Sequence, residues 1–174
     1  LKTFTETDEY FPSGMQYTAK HLKQVGFTPG LWFMPFSGDM HNPYFPKEIF
    51  AKHLWSDVPY DVKKWSGTCI DATNPAGEKF LRERFKRIYD WGYRYYKIDG
   101  LHTGAPSENI YVTRSYDGVP VYGSARLYND EYTFTQCFRK GLSILKEEAP
   151  GVFLLGCAAT QNMSSFAASF GMVD

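Results

Sequence analysis

The sequence predicts an α/β fold of the (β/α)8 TIM-barrel type, with only part of one barrel in this chain. Segments with helical spacing alternate with short apolar segments, and this order implies parallel strands joined by right-handed crossovers. About four or five strands can be recognised in 174 residues, whereas a closed barrel usually takes about 250 residues. An open doubly wound sheet is the alternative, but the Gly-rich phosphate-binding turn that often marks it is missing.

Three long helices and one short helix are predicted where apolar residues recur at helical spacing. They cover residues 12–25, 75–91, 130–148 and about 161–168. Gly26 ends the first helix, and Pro150-Gly151 ends the third. Asn74-Pro75 begins the second helix, because asparagine caps a helix and proline is tolerated at its first position.

Four parallel strands are predicted between these helices. They lie near residues 29–35, 67–71, 93–99 and 152–157, with a possible further strand start at 170–174. Two long loops, 37–66 and 100–129, follow the first and third strands, and a short helix near 47–53 interrupts the first loop. Long loops in a compact domain are usually functional, so we expect these two to wall a cleft at the carboxyl ends of the strands.

Charge and cysteine usage exclude several classes of partner. The chain has 19 basic and 19 acidic residues and a pI near 7.1, which argues against nucleic acid and anionic membranes. No apolar run is long enough to span a bilayer. The three cysteines, Cys69, Cys137 and Cys157, lack metal-ligand spacing, as do the histidines. We expect no metal, no cofactor, no nucleic acid and no membrane partner, while compartment and oligomeric state stay open.

Aromatic residues make up 18% of the chain, which is well above ordinary usage. Many of them lie in polar segments punctuated by glycine and proline. Rings with one apolar and one wet side can stack on sugar faces, and they can equally pack long loops onto a barrel.

The segment 93–100 carries the clearest chemical signal. Strand side chains alternate, so Lys97 and Asp99 share one face, while Tyr96 and Ile98 share the other. Burying a lysine and an aspartate on an inner face is costly unless they are paired. They lie at the carboxyl end of a strand, where α/β barrels keep catalytic groups. The alternative is a structural ion pair that caps the strand.

Several motifs occur in an order that resembles a known family. They are FPSGM at 11–15, GFTPGLW at 26–32, IDATNP at 70–75, YKID at 96–99 and LGC at 155–157. This succession resembles the catalytic barrel of the clan D retaining glycoside hydrolases, the α-galactosidase group, over nearly all of residues 11–174 except the 101–130 loop. The resemblance implies a single domain over 1–174 that forms about strands 2 to 5 of the barrel and the start of strand 6.

The resemblance also implies an activity and a set of roles. The protein would cleave α-linked sugars, α-galactosides above all, through a covalent glycosyl-aspartate intermediate, with an oligosaccharide or glycoside as its partner. Asp99 would be the nucleophile, and an adjacent lysine keeps it ionised. Lys97 would contact substrate hydroxyls, Trp32 would form part of the sugar-binding floor, and Cys157 would lie beside the sugar.

The second carboxylate of a retaining pair lies about 5–5.5 Å from the nucleophile and acts as acid/base. In the family it belongs to a strand that begins near the end of this chain. We therefore expect it beyond Asp174, with Asp174 itself as a weaker candidate. A chain without this carboxylate would bind poorly and catalyse little.

Other residues and functions remain as alternatives. Asp39 can reach a sugar hydroxyl from the first long loop or serve as a turn residue, and Asp71 is expected to cap or pair within the barrel. A Schiff-base aldolase-type enzyme would use Lys97 as the nucleophilic amine. That chemistry needs a neutral amine, and a carboxylate two residues away favours the charged form. A carbohydrate-binding barrel without catalysis is the third possibility.

Overall fold

The computed structural model describes residues 9–62, 67–106, 125–157 and 168–174. The three helices are α1 (Met15–Gln24), α2 (Pro75–Asp90) and α3 (Phe134–Glu148). The strands are β1 (Gly30–Phe33), β2 (Ser37–Gly38), β3 (Lys52–His53), β4 (Asp61–Val62), β5 (Gly67–Cys69), β6 (Tyr95–Ile98), β7 (Ala125–Arg126) and β8 (Phe153–Gly156). Two 3₁₀ turns cover Lys47–Ile49 and Leu101–Gly104.

A parallel sheet of three strands lies at the centre, in the order β1–β6–β8. Its register places Trp32 beside Lys97 and Lys97 beside Leu155. Parallel strands need crossover connections, and α2 supplies the first of these, while α3 lies between β6 and β8. Three of the four predicted parallel strands are confirmed. The described residues do not form a closed barrel.

The two faces of this sheet differ in burial as the alternation predicts. Tyr96 and Ile98 are fully buried, and they share a core with residues of α1, α2 and α3. The opposite face, which we call the open face, is exposed and carries Trp32, Tyr95, Lys97, Phe153 and Leu155. Helices cover the outside of a (β/α) barrel, so the open face corresponds to the inner side of such a barrel.

The helices begin where their capping residues are. The Asn74 side chain accepts a hydrogen bond from the Ala76 N–H, with Pro75 at the first helical position, as predicted. Helix α3 begins at Phe134 rather than 130, because Thr133 and Gln136 form a capping box that sets its first turn.

A strand is present at 67–69, but the prediction that it joins the parallel sheet is wrong. Strand β5 pairs antiparallel with β2 and β4 in a separate small sheet of order β2–β5–β4. The chain between β1 and β5 has no crossover helix among its described residues, only the single 3₁₀ turn, so it reverses direction instead of crossing over. Gly67 has φ 78°, and a Cβ there would lie 2.5 Å from the Gly38 carbonyl oxygen.

The two long loops meet in the structure, while the cleft between them stays a prediction. Strand β3 of the first loop pairs antiparallel with β7 of the second. Arg126 also forms an ion pair with Asp57 across this junction. Residues 107–124 of the second loop and nearly all of the predicted helix at 161–168 lie outside the described residues. None of the described helices is long and apolar enough to cross a membrane.

Candidate active site

Asp99 lies at the point where the three parallel strands end. It follows β6 directly, and its N–H donates to the Phe33 carbonyl oxygen of β1 at 2.9 Å. The Cys157 N–H, just past β8, donates to the Ile98 carbonyl oxygen at 2.7 Å. The ladder of the sheet therefore brings Asp99 and Cys157 to the same edge, the carboxyl end of the sheet, as predicted for catalytic groups of a barrel.

Both oxygens of the Asp99 carboxylate accept hydrogen bonds. The Trp32 indole N–H donates to Oδ2 at 3.0 Å, and the Gly100 N–H donates to Oδ1 at 2.8 Å. Gly100 has φ 59°, in the left-handed region, and the Met34 sulfur would lie 3.0 Å from a Cβ at this position. A glycine is needed for the turn that presents its N–H to Asp99.

Lys97 shares the open face with Trp32, but it does not pair with Asp99. It is exposed, and it takes part in none of the ion pairs among the described residues. The alternative of a structural ion pair between Lys97 and Asp99 is therefore not formed: Trp32 and Gly100 are the hydrogen-bond partners of the carboxylate. An exposed lysine gains little from a surface ion pair, which must order a long side chain.

The remaining two predicted site residues have different surroundings. Cys157 is half-buried beside the end of β8. Asp39 is exposed, and its carboxylate accepts a hydrogen bond from the His41 N–H at 2.9 Å. This is the bond of an Asx turn, and no described contact connects Asp39 with Asp99 or Trp32.

A buried polar network supports the turn that follows Asp99. The Thr103 hydroxyl donates to the Gly100 carbonyl oxygen at 2.8 Å, and it also bonds to the Ser37 hydroxyl at 3.0 Å. The Arg84 guanidinium, fully enclosed by protein, donates to the carbonyl oxygens of Pro35 (2.9 Å) and Ser37 (3.2 Å).

Sequence reasoning missed this network. One signal was available: Arg84 occupies a core position on the apolar face of α2, together with Leu81, Phe85 and Ile88. Desolvation lowers the pKa of the Arg84 guanidinium to about 10.

Asp71 ties the second long loop to the start of α2. It is fully buried, and its Oδ1 accepts from the Thr73 N–H (2.8 Å) and the Thr73 hydroxyl (2.7 Å). Its Oδ2 accepts from the Tyr128 N–H at 2.6 Å. The expectation that Asp71 pairs within the fold is confirmed, with the loop backbone as one of its partners.

Asp174 lies beside β8 but away from Asp99. Its carboxylate accepts from the Leu154 N–H at 2.9 Å, and its own N–H donates to the Leu154 carbonyl oxygen. Leu154 is in register with Tyr96, three residues before Asp99, which is about 10 Å along the strand. That separation exceeds the 5–5.5 Å of a retaining pair.

A cavity of about 850 Å³ lies at the other end of the sheet, between α1 and the starts of β1 and β6. Its lining includes Lys20, Lys23 and Arg94 and none of the five predicted site residues. Within the described ranges, no group of three or more His, Cys, Asp or Glu side chains is placed to hold a metal ion.

Solved structures resemble this chain, although no protein-family model matches it. The α-galactosidase TtGalA from Thermus thermophilus, in complex with p-nitrophenyl α-D-galactopyranoside, matches with a TM-score of 0.70 and 25% identity over 97% of this chain. The same enzyme in complex with stachyose gives a TM-score of 0.69, 25% identity and 97% coverage. The chain spans 30% and 32% of those two chains.

A more distant match supports the same architecture. A GH31 α-xylosidase from a soil metagenome, complexed with xylose, has a TM-score of 0.59 and 14% identity over 97% of this chain and 27% of that one. The chain has a glycoside hydrolase fold. It spans less than a third of the length of each of these three matched chains, so the partial α/β sheet agrees with the predicted fold class.

Proposed function

We propose that this chain carries the nucleophile side of the active site of a clan D retaining glycoside hydrolase that cleaves α-linked sugars, α-galactosides above all. The observation that carries the proposal is the Asp99 carboxylate at the carboxyl end of β6, held by Trp32 beside the open face. The match to an α-galactosidase that binds an aryl α-galactoside and stachyose supports this substrate class.

In the proposed reaction, an oxygen of Asp99 attacks the anomeric carbon while the bond to the leaving oxygen breaks. The acid/base carboxylate protonates that leaving oxygen, and a glycosyl-aspartate ester is formed. The same carboxylate then takes a proton from water, which attacks the anomeric carbon and releases Asp99. Two displacements on opposite faces of the sugar retain the configuration.

The other residues of the open face would bind the sugar. Trp32 is half exposed, and the face of its aromatic ring can pack against the C–H face of a sugar. Lys97 has three N–H donors for hydroxyl groups, and Cys157 would border the sugar at the end of β8. Asp39 is the weakest member of this set, because its carboxylate is engaged in a turn.

The acid/base carboxylate is proposed to follow Asp174 in the complete gene product, since Asp174 itself is bonded to β8 at a distance from Asp99. The chain is proposed to be one barrel segment. With β5 outside the parallel sheet, β1, β6 and β8 supply its barrel strands, and the segment at Asp174 beside β8 begins the next barrel strand.

The alternative Schiff-base mechanism needs a desolvated lysine, and the exposed Lys97 does not favour it.

The test measures hydrolysis of an aryl α-galactoside by the complete gene product. Asp99→Ala should lower kcat by at least about a thousandfold, because no covalent intermediate can form. Added azide or formate should partly restore turnover and give product of inverted configuration. Lys97→Ala should be milder, about tenfold to a hundredfold, the range for a hydrogen bond to a charged group.

Asp90→Asn is the matched control, because this carboxylate is exposed on α2 and pairs with Lys86. It should leave activity unchanged. Wild-type turnover in Asp99→Ala, combined with loss of activity in Lys97→Ala and trapping of substrate on Lys97 by borohydride, would refute the glycosidase proposal in favour of the Schiff-base mechanism.

A further inference from the structure

We propose that Trp32 is a positioning residue for the nucleophile, and that its indole N–H holds the Asp99 carboxylate in the orientation for attack. This inference rests on the function proposed above. It gives Trp32 a second role that is separate from contact between its ring and the sugar.

The two donors to Asp99 act on different oxygens. Gly100 donates to Oδ1 from the backbone, and Trp32 donates to Oδ2 from the neighbouring strand. One donor leaves the carboxylate free to rotate about its Cβ–Cγ bond, whereas two donors on opposite oxygens set the plane of the group. The terminal torsion of an aspartate is otherwise broad, so the Trp32 bond is what selects one orientation.

The indole is well suited to this task because of where its backbone lies. Trp32 is in the middle of β1, in register with Lys97 on β6. Asp99 lies two residues beyond Lys97, directly after β6, so the Trp32 side chain spans one diagonal step between adjacent strands, which lie about 4.8 Å apart. Both ends of the contact therefore belong to the hydrogen-bonded sheet, and the donor is not carried by a loop.

The bond is also compatible with attack. An indole N–H is a donor only, and a carboxylate has about four lone-pair sites on its two oxygens. The two observed bonds use one site on each oxygen, which leaves a lone pair on either oxygen for the anomeric carbon. Trp32 is 49% exposed, which leaves room for a sugar against its ring while the indole N–H is bonded to Asp99.

A ring that only contacts sugar and a ring that also positions the nucleophile predict different kinetics for Trp32→Phe. Phenylalanine keeps an aromatic face and lacks the N–H donor. Loss of sugar contact weakens binding, which raises KM or the inactivator Ki. Loss of positioning lowers the rate of the chemical step, because an effect confined to the transition state appears in kcat.

The kinetic experiment uses the complete gene product and a fluorinated α-galactosyl fluoride that accumulates the glycosyl-enzyme. For Trp32→Phe we expect the rate constant of inactivation to fall about tenfold to a hundredfold, with Ki within about threefold of wild type. Trp91→Phe is the matched control: the same substitution in the cap of α2, at the other end of the sheet, should leave both constants unchanged. Thermal unfolding of both variants establishes that they are folded.

A second measurement tests the hydrogen bond between Trp32 and Asp99 independently of enzyme activity. It uses the ¹H–¹⁵N spectrum of the same complete gene product, in which the indole resonance lost in Trp32→Phe is that of Trp32 and the one lost in Trp91→Phe is that of Trp91. Asp99→Ala should move this resonance upfield, because the indole proton loses a carboxylate acceptor, and should leave the Trp91 resonance in place.

Either of two results would overturn the proposal. One is an unmoved Trp32 resonance in Asp99→Ala. The other is a wild-type inactivation rate in Trp32→Phe, with or without a raised Ki, while Asp99→Ala is inactive. Activity retained in Asp99→Ala would instead refute the proposed function, so the two failures are distinguishable.

Discussion

Replacing Asp71 by asparagine should destabilise the fold by loosening the second long loop. The carboxylate is fully buried. It accepts hydrogen bonds from the N–H and the hydroxyl of Thr73 and from the N–H of Tyr128. An asparagine has one acceptor oxygen and an NH₂ group that only donates. If the oxygen keeps the two Thr73 donors, the NH₂ group faces the Tyr128 N–H, and that 2.6 Å hydrogen bond is lost.

The size of the effect follows from these contacts. A hydrogen bond to a charged group contributes about 1.5–3 kcal/mol, and leaving a buried donor unsatisfied costs about 1–3 kcal/mol. These contributions overlap, so we expect the free energy of unfolding to fall by about 3 kcal/mol. For a chain of this length, that is a decrease in Tm of about 6–12 °C.

The assay is thermal unfolding followed by circular dichroism, with Asp57→Asn as the matched control. Asp57 undergoes the same chemical change, but its side chain is 94% exposed in an ion pair with Arg126, so the cost should stay below about 1 kcal/mol. Amide exchange gives a local reading: the Tyr128 N–H should lose protection while the Thr73 N–H keeps it. Equal Tm values for the two variants would refute the reasoning.

Two further predictions concern pH and thiol chemistry. Burial lowers the pKa of the His102 imidazole to about 4 from 6.5, although the Asp99 carboxylate acts in the opposite direction. The unfolded chain therefore binds more protons between these values, and about 3 kcal/mol of stability present above pH 6.5 is lost as pH falls to 4. Urea unfolding across this range should show a flatter profile for His102→Gln than for wild type, and coincident profiles would contradict this. Of the three cysteines, a thiol reagent should label only Cys157 in the native protein. Cys69 and Cys137 are fully buried, and burial raises the pKa of both thiols. Labelling of Cys69 or Cys137 before unfolding would contradict this prediction.

The sequence predicted the features of this protein that short segments determine. Asn74-Pro75 marked the start of α2, and strand alternation separated Lys97 and Asp99 from Tyr96 and Ile98. Caps and periodicities of 3.6 and 2 residues are properties of a few consecutive residues, and they are therefore readable without the fold. The order of motifs along the chain also indicated a glycoside hydrolase barrel, and the structural matches show a glycoside hydrolase fold.

Only the tertiary structure decided which groups touch. Strand β5 joined an antiparallel sheet because the preceding chain reverses rather than crosses over. The carboxylate of Asp99 bonds to Trp32, 67 residues away, and not to the lysine two residues away. Asp71 holds a loop backbone 57 residues further along. Such contacts depend on how folding brings segments that are distant in sequence together in space. A pattern of a few consecutive residues does not determine which distant segments meet.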